Sequence, residues 1–112
     1  MIDIDMSKYT QLYTKDAAKL MRELIQKPPT HNGRTPLQTS ALAMGFCSMK
    51  RHGRINGANE KYLSILSYLV RNPTALIFSE QTVMDALNTA MACLEADAAA
   101  ERATVHDFAR RY

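Results

Sequence analysis

The side chains in this chain with the clearest chemical use are lysines and arginines, which fall into two groups. Four of them recur at helical spacing and share one narrow arc of a helical wheel: Lys8, Lys15, Lys19 and Arg22. A second group is consecutive or nearly so: Lys50, Arg51, His52 and Arg54. Such side chains neutralise phosphates, which gives affinity for a nucleic-acid backbone without reading the base sequence.

The distribution of charge along the chain supports this interpretation. Residues 7–61 carry ten Lys/Arg and three Asp/Glu, whereas residues 62–112 carry four and six. This asymmetry favours one face for a polyanion and another for packing or for a protein partner. The residues predicted to contact nucleic acid are Lys15, Lys19, Arg22, Arg34, Lys50, Arg51, Arg54 and Lys61. The simpler alternative is a solvated helix face, with cations that compensate a helix dipole.

The positions of these side chains depend on an all-α fold of one domain, residues 1–112. We predict a compact bundle of three to four helices with a long C-terminal helix. The first helix is predicted from Lys8 to Gln26, with Tyr13 on its apolar face. In the second, Thr35, Pro36 and Gln38 form a typical capped start, and the helix reaches about His52. The third is predicted over about 58–71, and the fourth begins after the N-cap Ser79.

The predicted second helix is apolar on nearly all sides, which is typical of a central helix or of one shared with a partner. Gly45 within it permits close approach of a neighbouring helix. We predict that Leu42, Phe46 and Met49 form an interface with a protein subunit, and a homo-oligomer is one form of this interface.

The sequence contains no recognisable catalytic motif. Its three histidines, His31, His52 and His106, fall on different predicted elements, and no paired Cys or metal-ligand spacing occurs. Cys47 and Cys93 are interpreted as small buried side chains. We therefore expect no enzyme activity, no metal and no cofactor. The acidic N-terminus is unlike a signal peptide, and no apolar stretch approaches ~20 residues, so we expect a cytoplasmic protein without a membrane partner.

Two stretches resemble the small helical subunit of type III CRISPR effector complexes. Residues 40–46 read Ser-Ala-Leu-Ala-Met-Gly-Phe, which is similar to that family's glycine-containing apolar helix, and residues 61–70 and 82–101 resemble its last two helices. The resemblance implies a non-catalytic helical bundle that multimerises in a ribonucleoprotein and lines the target-strand groove with basic residues. The last helix departs from that family at residues 93–97, where an aromatic and basic cluster is often found.

The sequence thus predicts a non-catalytic subunit of a ribonucleoprotein that binds a nucleic-acid backbone. The alternative is a small phage- or plasmid-borne protein-binding module, an inhibitor or adaptor, whose basic face engages an acidic protein surface. Both functions use the same charges, so the arrangement of those charges in the fold is the decisive observation.

Overall fold

The computed structural model describes residues 3–26, 34–52, 59–72 and 78–110, with side chains described up to residue 102 of the last helix. A 3-10 turn, Met6–Lys8, precedes four helices: α1 (Thr14–Gln26), α2 (Pro36–His52), α3 (Asn59–Arg71) and α4 (Glu80–Arg110). The described residues contain no strand. The predicted all-α bundle with a long C-terminal helix is confirmed.

Helix α2 is the central element of the bundle, and it packs against each of the other three helices. Its side chains are buried almost all round, which explains why the sequence shows two apolar faces. At Gly45 the packing is closest. A Cβ built there would lie 2.7 Å from Cε of Met21 on α1 and 3.2 Å from Cβ of Ala90 on α4. Glycine therefore allows three helices to meet at one level, as predicted.

Long-range contacts fix the relative directions of the helices. Thr14 at the start of α1 donates to Glu101, and Arg22 farther along α1 pairs with Glu95, so α1 runs antiparallel to α4. Gly45 lies against Ala90, and seven residues later His52 contacts Asp97, so this part of α2 runs in the same direction as α4.

The start of α1 differs from the prediction, because the helix begins at Thr14 and not at Lys8. Asp5 caps the 3-10 turn by accepting from the main-chain nitrogen and hydroxyl of Ser7. The main-chain nitrogen of Thr10 donates to the Ser40 hydroxyl of α2 at 3.1 Å. This tertiary hydrogen bond uses a donor outside the helix. The segment before Thr14 runs along α2, from Asp3 at Lys50 to Thr10 at Ser40, with Ile4 buried in the core.

The helix starts predicted from capping residues are confirmed. The main-chain nitrogen of Gln38 donates to Oγ1 of Thr35, and that of Thr35 donates to Oε1 of Gln38, which is the reciprocal pattern of a capping box. At α4, Oγ of Ser79 accepts from the main-chain nitrogen of Thr82. The rings of Tyr68 and Phe78 pack edge to face, with centroids 5.4 Å apart, and connect the end of α3 to the approach to α4.

Candidate nucleic-acid interface

Helix α1 presents the predicted basic face, but its three cations differ in their surroundings. Lys15 and Lys19 are exposed one turn apart, and neither forms an ion pair with a described carboxylate. Arg22, by contrast, places Nη2 2.8 Å from Oε1 of Glu95, and both side chains are about half exposed. An exposed pair of this kind stabilises the fold little, yet it already offers the guanidinium an anionic partner.

The cations at the end of α2 are also paired with carboxylates. Nζ of Lys50 lies 3.2 Å from Oδ1 of Asp3, in the segment that runs along α2. Nη2 of Arg51 lies 2.6 Å from Oδ2 of Asp97 on α4. These contacts join α2 to two other parts of the chain, so part of the charge asymmetry in the sequence is internal complementarity.

Asp97 is the centre of the most extensive polar cluster in the described part of the chain. Oδ2 accepts from the buried Ser48 hydroxyl at 2.6 Å as well as from Arg51, and Oδ1 lies 2.7 Å from Nε2 of His52. Desolvation raises the pKa of this carboxyl, but hydrogen bonds from Ser48, His52 and Arg51 outweigh it and hold the pKa below its ordinary value. Asp97 is therefore a charged acceptor that joins α2 to α4.

The same cluster contains serine, histidine and aspartate, but not in a catalytic order. A hydrolytic triad places the imidazole between the hydroxyl and the carboxylate, so that the imidazole takes the proton of the nucleophile. Here the Ser48 hydroxyl donates directly to Asp97, and His52 contacts the other carboxylate oxygen. The imidazole of His52 therefore does not contact the serine oxygen, as a triad requires, and the hydrogen bonds of this cluster join α2 to α4.

Lys61 and Arg34, the other predicted cations that the structure describes, take no part in these clusters. Lys61 is exposed on α3, and it pairs with none of the described carboxylates. Arg34 is half-buried just before α2, where Nε and Nη2 are buried without a hydrogen-bond partner. Arg54 lies outside the described residues. The described cations are therefore distributed over several elements, and three of the eight predicted contacts are paired with carboxylates.

The side chain of Tyr13 is 77% exposed, so the prediction that it faces the core from the apolar side of the first helix is wrong. Its main-chain oxygen accepts from the nitrogens of Asp16 and Ala17, so Tyr13 stands at the boundary of α1 and not within it. A helical wheel does not apply at that position. The late start of α1 places an exposed aromatic ring two residues before Lys15.

The predicted partner interface is wrong. Leu42, Phe46 and Met49 are each exposed by 1% or less, because they pack in the core of their own chain. They contribute to the central position of α2 in the bundle and offer no surface to another subunit. Among described residues, the large apolar side chains classed as exposed are Tyr13 and Leu37.

Cys47 and Cys93 are partly buried free thiols. Burial raises the pKa of the Cys47 and Cys93 thiols, which reduces the fraction of the nucleophilic thiolate. Within the described ranges, no group of three His, Cys, Asp or Glu side chains is arranged to hold a metal ion. In that same part of the chain, no helix combines the length and apolarity needed to span a membrane.

Comparisons with known proteins gave no match to this chain. No protein-family model, no curated protein and no solved structure matches the chain. The candidate site is therefore defined by its own side chains.

Proposed function

We propose that this chain is a non-catalytic binding protein that contacts the backbone of single-stranded nucleic acid through the start of α1. The single observation that carries the proposal is the exposure of Lys15 and Lys19, neither paired with a described carboxylate, beside the exposed ring of Tyr13. Proteins that bind single strands combine cations along the backbone with aromatic rings on which bases stack.

These three side chains form a smaller set than the sequence predicts. Lys15 and Lys19 are separated by one helical turn, about 6 Å along the axis, so both can reach adjacent phosphates of an extended strand. Arg22 extends the same face, but a phosphate must compete with Glu95 for it. In the form implied by the CRISPR resemblance, such a face is one segment of a basic groove in a ribonucleoprotein.

The test is a titration of a fluorescently labelled single strand of mixed sequence, followed by anisotropy at several salt concentrations. We expect the Lys15→Ala/Lys19→Ala variant to bind more weakly at every sequence tested. Its slope of log K against log salt should be shallower by about 1.4, because each lost phosphate contact removes about 0.7 for single strands. Tyr13→Ala should weaken binding by about 1–3 kcal/mol and leave that slope unchanged.

Lys61→Ala is the matched control, since it removes the same charge from an exposed position on a different helix. It should leave both affinity and salt slope close to those of the unmodified chain. An equal loss from Lys61→Ala would show that only net charge matters and would contradict a binding face on α1. A loss confined to one base sequence would contradict backbone recognition.

A second candidate is a protein-binding module, the inhibitor or adaptor, that engages an acidic protein surface. Arg22, Lys50 and Arg51 are already paired with carboxylates, so few cations remain free. A small set of free cations suits a local acidic patch on a protein better than a long polyanion. The same titration separates the two functions. Absence of binding to single- and double-stranded nucleic acid at moderate salt would reject the first proposal and favour the second.

A further inference from the structure

Arg34 is the one described residue whose buried side-chain polar atoms lack a hydrogen-bond partner. It lies immediately before Thr35, the capping residue of α2, and its side chain is half-buried. Nε and Nη2 are both buried and unpaired. The neighbouring polar side chains are engaged with each other, since Thr35 and Gln38 form the capping box.

A guanidinium in this situation is energetically unfavourable unless an anion neutralises it. Arginine stays protonated in proteins, so burial cannot be relieved by loss of a proton. Desolvation lowers the pKa of Arg34, and Tyr9 is the titratable group that opposes this effect. None of the described carboxylates forms an ion pair with Arg34, whereas Arg22 and Arg51 each have one.

The two unpaired nitrogens of Arg34 are placed to donate to the same ligand. Nε and Nη2 lie on the same edge of the planar guanidinium, and their N–H bonds point in nearly parallel directions. Two parallel donors match two oxygens of one oxyanion, which is the bidentate arrangement by which arginine binds carboxylate and phosphate. We propose that this edge of Arg34 is a binding site for a single phosphate group.

Phosphate is favoured over carboxylate because it carries more negative charge and so compensates an unpaired guanidinium more fully. A coulombic interaction links Arg34 to Tyr9, whose hydroxyl can also donate to a phosphate oxygen. This site does not depend on the proposed function, since it takes one phosphate group whether or not the face of α1 binds a strand.

The test uses inorganic phosphate as the probe and the intact chain. Thermal unfolding is measured in phosphate and in chloride at the same pH and ionic strength, and the dissociation constant is measured by calorimetry. We expect phosphate to raise the melting temperature, because a ligand that binds only the folded state stabilises it. Arg34→Met should abolish this rise and should melt no lower than the unmodified chain in chloride, since it removes an uncompensated buried charge.

Arg34→Lys keeps the charge but loses the parallel donors, so its dissociation constant for phosphate should rise by about tenfold. Arg102→Met, which removes an exposed guanidinium from α4, is the matched control and should keep the full response to phosphate. A nucleoside 5′-monophosphate is the second probe. Equal affinity for both probes assigns the site to the phosphate group alone, and tighter binding of the monophosphate adds contacts from the sugar or base.

Three outcomes would overturn the proposal. The first is an equal melting temperature of the unmodified chain in phosphate and chloride. The second is a full phosphate response in Arg34→Met. The third is marked destabilisation or failure to fold of Arg34→Met in chloride, because this would mean that the guanidinium already has a stabilising role within the protein.

Discussion

At the scale of single residues, Asp97 carries the largest share of polar contacts between helices. It is 18% exposed, and it accepts from Ser48 and Arg51 and contacts His52, all on α2. A carboxylate with this many partners is stabilising only while it is ionised, because a protonated carboxyl loses acceptor capacity and its attraction to Arg51.

We therefore predict that Asp97→Asn lowers the free energy of unfolding by about 1–3 kcal/mol at neutral pH. The pKa of Asp97 in the folded state lies below its ordinary value of 3.8. The contribution of its charge is thus complete above that value and is lost as the pH falls through the folded-state pKa. Urea unfolding at pH 7 and pH 3 should show a smaller difference between the two proteins at pH 3.

The matched control for this prediction is Asp85→Asn, which changes a carboxylate on the same helix that accepts from Gln81 within α4. Its effect should stay within about 0.5 kcal/mol at both pH values, as for most surface substitutions. A stability gap between Asp97→Asn and the unmodified chain that does not change with pH would show that side-chain shape, and not ionisation, matters at this position.

At the scale of secondary-structure elements, the start of α2 depends on its capping box. Thr35→Ala removes the acceptor for the main-chain nitrogen of Gln38 and should lower the free energy of unfolding by about 1 kcal/mol. Gln38→Ala removes the reciprocal bond to Thr35. Chemical denaturation of both single variants and the double variant should give a combined loss different from the sum, because the two bonds form one unit.

A suitable control is Ser64→Ala in α3, whose hydroxyl donates to the main-chain oxygen of Glu60 within its own helix. Alanine has the higher helix propensity, so this change should cost little or stabilise slightly. If Thr35→Ala behaves like Ser64→Ala, the capping bonds do not contribute to stability.

The elements also show how much of the fold was predictable from the sequence. The helix starts at Thr35 and Ser79 depend on residues within four positions, so local patterns were sufficient. The start of α1 at Thr14 depends on a hydrogen bond from Thr10 to Ser40, thirty residues away. A helical wheel uses only the residues of one segment, so it cannot predict this contact. The exposure of Tyr13 was missed for the same reason.

At the scale of the whole molecule, local sequence patterns could not predict the candidate site either, because its contacts join residues that are far apart in the chain. The sequence identified which side chains are cationic, but their partners come from distant positions: Glu95 for Arg22, Asp3 for Lys50 and Asp97 for Arg51. Apolar residues of α2 were recognised, but their assignment to a partner was wrong, since burial within one chain and burial in an interface leave the same pattern in a sequence. Tertiary packing decides between the two.

The segment before α1 contacts α2, α3 and the hydrophobic core, so loss of its contacts should destabilise the whole fold. Ile4 is 7% exposed in the core, Asp3 pairs with Lys50, and Arg71 of α3 donates to the main-chain oxygen of Asp3. Ile4→Ala should therefore lower the free energy of unfolding by about 2–4 kcal/mol, the usual cost of truncating a buried isoleucine. Denaturant unfolding and hydrogen exchange at the Thr10 amide are the measurements.

Leu37→Ala is the comparison, because it truncates an aliphatic side chain that is 47% exposed at the start of α2. Its effect should stay within about 0.5 kcal/mol. Faster exchange at Thr10 in Ile4→Ala, with unfolding energy equal to that of Leu37→Ala, would mean that the segment opens locally without affecting the bundle. If Ile4→Ala both lowers the free energy of unfolding and speeds exchange at Thr10, the segment and the four helices unfold as one unit. We expect this result because Ile4 packs in the same core as Met21 and Phe46.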